Sequence, residues 1–394
     1  MNVFAAVMTG QGTGAISTIE LFGDSAQAII SKIFKPESGK SADFKTGNIL
    51  LGKITDGPET IDQVTIGCEA QSEFAINCHG NPLIVEMIME LLQRHGARLI
   101  SAEQLLAKTL AAQEDLNTIA IEAKLAQVKA ETVEGTKIVL NQIEGGLSKR
   151  AAEWLEKIDT ISFDIVTAEA ARILSDSQTA KLIVAGGTAV ITGPPNSGKS
   201  TLLNYLCGRQ KAIVTDIRGT TRDWVSGRCK TGPLSVELID TAGLDERLGA
   251  MPGSAVDRAS QQKAVEILEK ADLVLLVLDN SEPAGLLDDG LLEKIRSKKV
   301  LTILNKCDLP VRLDTSNLPR FLPDPMLISA KLGTGTENLL RKIPEILNAA
   351  NFDLKSAVCV TCRQENLLRK LQKAKSRQQA ASVITELLNG RLNV

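Results

Sequence analysis

Gly193-Pro-Pro-Asn-Ser-Gly-Lys199-Ser200 has the spacing G-x-x-x-x-G-K-S. Glycines in such a loop let backbone N–H groups converge on a phosphate, and a helix starting at its end adds positive potential. In that geometry Lys199 reaches the β- and γ-phosphates and the Ser200 hydroxyl takes a place on Mg²⁺. The context fits, with the apolar run Thr188–Thr192 before the loop and the helix-compatible Thr201–Cys207 after it. Asp240-Thr241-Ala242-Gly243 follows a strand-like run, so Asp240 would act on Mg²⁺ through water and the Gly243 N–H would sense the γ-phosphate. Asn305-Lys306-Cys307-Asp308 follows the next strand but one. The Asp308 carboxylate can accept from guanine N1–H and its N2 amino group together. Adenine lacks that pair of donors, so GTP is expected over ATP. Ser329-Ala330-Lys331 falls where a loop at the base edge belongs, and Thr220 or Thr221 offers the switch hydroxyl for Mg²⁺.

The order and spacing of these segments are similar to those of translation-factor-like GTPases. Leu244 follows Gly243, at the position where many small GTPases carry a glutamine that orients the attacking water. A leucine cannot do this. Catalysis therefore needs another water-positioning group and another positive charge beside the β–γ bridge.

The elements that must hold these loops can be read from periodicity. Thr188–Thr192, Leu234–Ile239, Leu273–Leu278, Val300–Leu304 and Met326–Ile328 are short apolar runs separated by helical or loop segments. That pattern predicts a parallel sheet with crossover helices. Ile143, Leu147, Ala151, Leu155, Ile158 and Ile165 keep a helical step, no glycine or proline interrupts Leu147–Lys181, and Leu367, Leu371, Ala374, Ala381, Ile384 and Leu388 repeat the character. Before them, Ala15–Phe22, Val64–Gly67 and Phe74–Cys78 are β-prone, and Pro82–His95 has helical spacing stopped by Gly96. The expected fold is multidomain: an α+β N-terminal domain over 1–100, an all-α helical domain over 101–184 plus 346–394, and an inserted α/β P-loop GTPase domain over 185–345.

Composition narrows the function classes. The chain of 394 residues is 43% hydrophobic and 23% charged, which is ordinary for a soluble protein with more than one core. A net charge of −2 gives no global attraction to nucleic acid, so any such contact must use a local patch. The aromatics are two tryptophans, one tyrosine and eight phenylalanines, too few for base-stacking platforms. Seven cysteines with no secretion signal read as reduced thiols in a cytoplasm. Met1–Gly10 carries no basic residue and makes a poor signal peptide. Leu273–Leu278 is far short of the ~20 residues of a membrane span, so no membrane partner is expected.

Taken together, Pro195-Asn-Ser-Gly-Lys-Ser200, Ala212-Ile-Val-Thr-Asp-Ile-Arg-Gly-Thr-Thr-Arg-Asp223, Cys78-His-Gly80, Leu91-Leu-Gln-Arg-His-Gly-Ala-Arg98 and Gly146-Leu-Ser-Lys-Arg150 carry a resemblance. Over nearly its full length the chain resembles the MnmE (TrmE) family of bacterial tRNA-modification GTPases. The family has an N-terminal dimerisation and folate-binding domain, then a helical domain interrupted by the GTPase domain. The resemblance implies nucleotide contacts from Asn196, Ser197, Gly198, Lys199, Ser200, Thr201, Asp240, Thr241, Ala242, Gly243, Asn305, Lys306, Asp308, Ser329, Ala330 and Lys331. It also implies a K⁺ beside the bridging oxygen, held by the Asn196 side chain and the Thr215 and Ile217 carbonyls, with Thr220 beside it and Thr221 in the Mg²⁺ role. A fixed cation there stabilises developing negative charge as an arginine finger would. G domains would pair across a homodimer to order the switch. The family's water-orienting glutamate corresponds best to Asp257 in Val256-Asp257-Arg258, because the segment after Asp240 is longer here. GTP hydrolysis would serve wobble-uridine modification of tRNA with an MnmG-type flavoprotein; the other reading is a regulatory or assembly GTPase without that chemistry.

The departures from the family gather around tetrahydrofolate. The family's folate-contacting arginine falls on Glu20, the glutamate before the Cys-His-Gly element on Ala75, and a lysine near Asp115-Leu116 on Gln113. The C-terminal Cys-x-Gly-Lys motif has no counterpart in Asn389-Gly-Arg-Leu-Asn-Val394. The expectation is a folate site weakened or lost. Cys359-x-x-Cys362 lacks a second pair or nearby histidine and reads as structural. His79 is expected to shape a turn with Gly80. Arg369, Lys370, Lys373, Lys375 and Arg377 form a solvated basic stretch that could meet a tRNA backbone.

Overall fold

The computed structural model describes residues 3–10, 12–39, 41–113, 115–208, 225–240, 265–283, 287 and 289–392. The chain divides into two units, one of Met1–Ile121 with Gly390–Val394, the other of Glu122–Asn389.

The first unit holds β1 (Val3–Val7), β2 (Ile16–Phe22), α1 (Ala26–Ile33), β3 (Phe34–Pro36), β4 (Ile49–Asp56), β5 (Glu59–Ala70), β6 (Glu73–His79), α2 (Pro82–Arg94), β7 (Ala97–Leu99) and α3 (Ala102–Ala111). Its strands form one sheet in the order β3-β4-β5-β6-β2-β1-β7. In β2 the residues Ser17, Ile19 and Leu21 are buried while Thr18, Glu20 and Phe22 are half-buried. That alternation fits a sheet with one face in the core. The core joins Ile19, Leu21, Ile66, Phe74 and Ile76 to Ile30 of α1 and Ile88 and Leu92 of α2. α2 starts as its residues predict, with Pro82 in the first turn and the Asn81 side chain accepting from the Leu83 N–H. β5 runs well beyond the expected Val64–Gly67. Its polar first half, Glu59–Gln63, lacks an apolar signal but pairs with β4 along its length.

The chain enters the second unit within α4 (Thr118–Gln127). There follow α5 (Val133–Glu144), α6 (Gly146–Glu156), α7 (Phe163–Ala185), β8 (Gly187–Thr192), α8 (Lys199–Gly208), β9 (Val225–Thr231), β10 (Leu234–Asp240), β11 (Leu273–Asp279), α9 (Asp289–Ile295), β12 (Val300–Asn305), β13 (Met326–Leu327), α10 (Thr336–Ile346), α11 (Cys362–Gln372) and α12 (Arg377–Asn389). The sheet order is β13-β12-β11-β8-β10-β9, parallel except where β9 runs against β10. Each expected apolar run is a strand. β9 escaped sequence reading because Val225–Thr231 includes Arg228 and Lys230, which face outward from an edge strand.

The helical period over Leu147–Lys181 is interrupted although neither glycine nor proline marks the place. α6 ends at Glu156 and α7 starts at Phe163. Between them the Thr160 and Ile161 N–H groups turn back to the Lys157 carbonyl. The Arg377 guanidinium donates to the Asp159 and Ile161 carbonyls. The break is thus held by a residue more than two hundred positions away. Ile138 of α5 and Ala180 and Ile183 of α7 share a core with Ala189, Ile191, Leu202, Leu234 and Val236, so the helices before the sheet seat directly on it. A buried carboxylate ties α4 to α11: Glu122 accepts from Arg363 Nε at 2.7 Å, Arg363 Nη2 at 2.8 Å, Gln364 Nε2 at 2.7 Å and Thr361 Oγ1 at 3.0 Å.

Candidate nucleotide site

The loops of interest leave the C-terminal ends of β8, β10, β12 and β13, where open α/β sheets place ligands. After β8 the chain turns at Gly193, whose φ is 140° and whose notional Cβ would lie 2.0 Å from the Val277 carbonyl oxygen. Only glycine brings the loop that close to β11. Asn196 sits at φ 60° and Gly198 at φ 93°, so the loop curls with left-handed residues either side of Ser197. A Cβ on Gly198 would meet Asn305 Nδ2 at 2.2 Å.

Lys199 is buried and its Nζ donates to the Gly193 carbonyl at 2.6 Å and the Pro194 carbonyl at 2.9 Å. The ammonium lies under the arch of the loop. The Ser200 hydroxyl donates to Asp240 Oδ2 at 2.6 Å. A hydroxyl and a carboxylate so close, both hard oxygen donors, fit the side-chain set of a Mg²⁺ site. Ser197 is fully buried and its hydroxyl has no hydrogen-bond partner among the described residues.

Asn305 joins the phosphate side to the base side. Its Nδ2 donates to the Ser197 carbonyl at 2.8 Å, and its Oδ1 accepts from the Ala330 N–H at 2.9 Å. Ser329 is buried, its N–H donates to the Thr334 carbonyl at 3.0 Å, and its hydroxyl accepts from the Leu332 N–H at 3.2 Å. The Ser329 side chain also hydrogen-bonds Asp308, and this first, then a backbone N–H at Asp308 itself, then Lys331 and Lys306, holds the Asp308 carboxyl below the usual carboxylate range. These loops surround a cavity of about 370 Å³ lined by Gly198, Thr201, Asn305, Lys306, Asp308, Leu309, Ser329 and Lys331. An ionised carboxylate, an ammonium and a small buried hydroxyl at one end, with a phosphate-type loop at the other, can grip a purine nucleotide along its length.

Asn196, Ser197, Gly198, Lys306, Asp308, Ser329, Ala330 and Lys331 lie in loops, Lys199, Ser200 and Thr201 begin α8, and Asp240 and Asn305 close β10 and β12, all at the C-terminal end of this one sheet. Thr215, Ile217, Thr220, Thr221, Thr241, Ala242, Gly243 and Asp257 lie outside the described residues. Asp279 belongs to none of the motifs legible in the sequence. Its Oδ2 accepts from Lys306 Nζ, and its Oδ1 accepts from the Ser281 N–H at 2.8 Å and hydroxyl at 2.6 Å. Burial pushes this carboxyl up, but Lys306 and Ser281 together bring it below its ordinary value.

In the first unit, Glu20 and Ala75 are direct cross-strand partners of β2 and β6. Burial, then Glu69 and Glu73, raises the Glu20 carboxyl. His79 does more than turn the chain: its N–H donates to Asp62 Oδ2 at 2.8 Å and its Nδ1 lies 2.7 Å from Asp62 Oδ1, with the carboxylate buried. Asp62 carries no local sequence signal for this. Cys359 is buried and Cys362 exposed. Among the described residues no group of three or more His, Cys, Asp or Glu could hold a metal ion. None of the described helices is long and apolar enough to cross a membrane.

Two family descriptions match the chain: "GTP-binding protein TrmE N-terminus" over residues 3–104 and "50S ribosome-binding GTPase" over residues 188–306. The tRNA modification GTPase MnmE of Enterococcus faecalis is 30% identical, with 99% of this chain and 89% of that protein covered. The MnmE of Clostridioides difficile is 28% identical, covering 95% of this chain and 88% of the relative. For the MnmE of Bacillus subtilis the figures are 32% identity, 81% and 76%. An N-terminal TrmE domain, a P-loop GTPase domain and kinship along almost the whole length establish that the chain belongs to the MnmE family of tRNA modification GTPases.

Proposed function

We propose that this chain binds GTP in the cavity at the C-terminal end of the sheet, hydrolyses it to GDP and phosphate with the help of K⁺ and of G-domain pairing in a homodimer, and acts in tRNA wobble-uridine modification. The observation that carries the nucleotide reading is the Asn305 side chain, which links the Ser197 carbonyl to the Ala330 N–H and so holds phosphate loop and base loop in one register. Asp308, ionised well down the pH scale, accepts from guanine N1–H and N2. Lys199 gives up its loop carbonyls for phosphate oxygens. Ser200 and Thr221 would hold Mg²⁺, with Asp240 behind them, and a divalent ion there neutralises charge on the β- and γ-phosphates.

For K⁺ we assign the Asn196 side chain, the Thr215 and Ile217 carbonyls and Thr220. The exposed, left-handed Asn196 supports its part, since its side chain is not spent inside the fold. Asp257 is our assignment for the group that orients the attacking water. We read 1–100 as the N-terminal dimerisation domain, 101–184 with 346–394 as a helical domain and 185–345 as the GTPase domain, with a cytoplasmic location, an MnmG-type flavoprotein partner and tRNA as the final target. The test is steady-state GTP turnover in KCl against NaCl: K⁺ should accelerate it severalfold, and Asn196→Ala should abolish that acceleration while leaving GDP binding intact. Equal turnover in both salts would remove K⁺ from the mechanism.

One observation favours the second reading, a regulatory or assembly GTPase without folate chemistry. Glu20 stands where the family carries a cation, directly opposite Ala75, and burial, then the neighbouring Glu69 and Glu73, raises its carboxyl. This set does not fit an anionic folate. Wobble-uridine analysis of a deletion strain, with recovery of a flavoprotein partner on purification, separates the two: unchanged wobble uridines would leave only the regulatory reading.

A further inference from the structure

Lys306 adopts φ 63°, a left-handed backbone that a non-glycine residue keeps only when its surroundings over-determine it. The surroundings come from the neighbouring strand. Asp279 closes β11 and Asn305 closes β12 in direct parallel register. The Asn280 N–H donates to the Asn305 carbonyl at 2.9 Å, and the Asn280 carbonyl accepts from the Arg312 N–H at 2.9 Å. The turn after β11 is therefore knitted to both ends of the base loop. Into this corner Lys306 directs its ammonium, which pairs with Asp279 Oδ2 at 31% and 11% side-chain exposure. The other Asp279 oxygen is committed to Ser281. The carboxylate thus has a fixed orientation before it meets the lysine. Lys306 lines the base cavity with Asp308, while its ammonium is paired with Asp279, which is not among the lining residues.

We propose that Asp279 is a positioning residue for guanine recognition: it anchors the Lys306 ammonium so that the lysine stem forms a fixed platform for the base and its charge does not collapse onto Asp308. This rests on the reading of the cavity as a guanine nucleotide site. Without the anchor, the Lys306 ammonium is free to turn to Asp308, which lines the same cavity and already feels its charge, and to compete with the guanine donors for the same oxygens. The hydrogen bonds of Asp279 go to Ser281 and Lys306, while Lys199 is held by the Gly193 and Pro194 carbonyls, so contacts to the phosphates should be unaffected.

The experiment compares GDP and inorganic pyrophosphate binding to the full chain as wild type, Asp279→Asn and Asp279→Glu. A charge-assisted contact of this kind corresponds to on the order of tenfold in affinity, so Asp279→Asn should weaken GDP about that much. Pyrophosphate binding should stay within about twofold, the scatter expected of an uncoupled site. A merely structural role would weaken both ligands together, and that result, or an unchanged GDP affinity, overturns the proposal. Should Asp279→Asn not fold, Asp279→Glu carries the test, since it keeps the charge on a longer arm. It should hold GDP within about threefold, and a larger loss with pyrophosphate binding intact shows that the arm length, not the charge, matters and overturns the anchor. Wild type that binds pyrophosphate but not GDP would instead refute the guanine reading of the cavity.

Discussion

At the scale of single residues the site is a set of charges whose directions are set by what they touch. Asp308 owes its low carboxyl first to Ser329, then to a backbone N–H at its own position, and then to Lys331 and Lys306. A depressed carboxyl takes up its proton only below the ordinary value of about 3.9. Guanine contacts that need the ionised form are therefore present above that pH and are lost only as pH falls through the lower folded value. GDP affinity between pH 7 and pH 5 should be flat on this account, and a fall of several-fold in that window would show that the carboxyl is not held low. Asp308→Asn turns one acceptor into a donor and faces guanine N1–H or N2 with an N–H of its own. Two charge-assisted contacts are at stake, so GDP should weaken by roughly a hundredfold or more, while xanthosine diphosphate, which offers a carbonyl at that edge, should gain. Cys359 belongs to the same scale. Burial pushes its thiol up to about 12 despite the Ser177 hydroxyl, and Cys362, three residues on, is exposed. The thiolate is the reactive form, so alkylation of the native protein at pH 8 should mark Cys362 and spare Cys359. Equal labelling of both would contradict the burial described here.

Elements turn those residues into a site by close approach and by capping over long sequence separations. β11 and the loop after β8 approach so closely that a Cβ at Gly193 would overlap the Val277 carbonyl. Gly193→Ala should force the loop away from β11 and destabilise by about 1–3 kcal/mol, with weaker nucleotide binding read by fluorescence titration. In the helices, Glu122 and Arg363 form a buried pair at 6% and 10% side-chain exposure, with Gln364 and Thr361 filling the remaining acceptor capacity. Removing one partner leaves the other charged and buried. Glu122→Ala should therefore cost about 3–5 kcal/mol in urea unfolding, far more than removal of an exposed pair such as Lys342 with Glu345. Similar losses for both pairs would show that Glu122 and Arg363 are better hydrated than their burial implies.

The whole molecule joins an N-terminal TrmE unit to a P-loop GTPase unit whose sheet is seated on preceding helices through Ile138, Ala180 and Ile183. If G domains must pair for turnover, as we propose, specific activity in K⁺ should rise with protein concentration and saturate. Activity per molecule that stays constant across that range would exclude pairing as a requirement. Asp257→Ala, in the same assay, should lower K⁺-stimulated turnover by about a hundredfold if it aligns the water, with GTP binding preserved.

The short contiguous motifs were legible in the residues alone. A phosphate loop, a metal-side aspartate and a guanine-reading aspartate each need a few neighbours in fixed order, and the strand or helix beside each carries its own period. The four central strands around them were legible for the same reason, because β8, β11 and β12 are apolar runs buried almost throughout and β10 alternates buried apolar with half-buried residues. β9 and the first half of β5 were not, since their polar residues form strands only through pairing with β10 and β4. The folded chain alone decided the partnerships between distant positions: Asn305 with Ser197 and Ala330, Lys306 with Asp279, Asp62 with His79, Arg377 on the break after α6, and Glu20 opposite Ala75. Such pairs obey no local spacing. Their separation along the chain is unconstrained until sheet order and helix packing close it, and only then does a carboxylate at the end of a strand acquire a partner and a task.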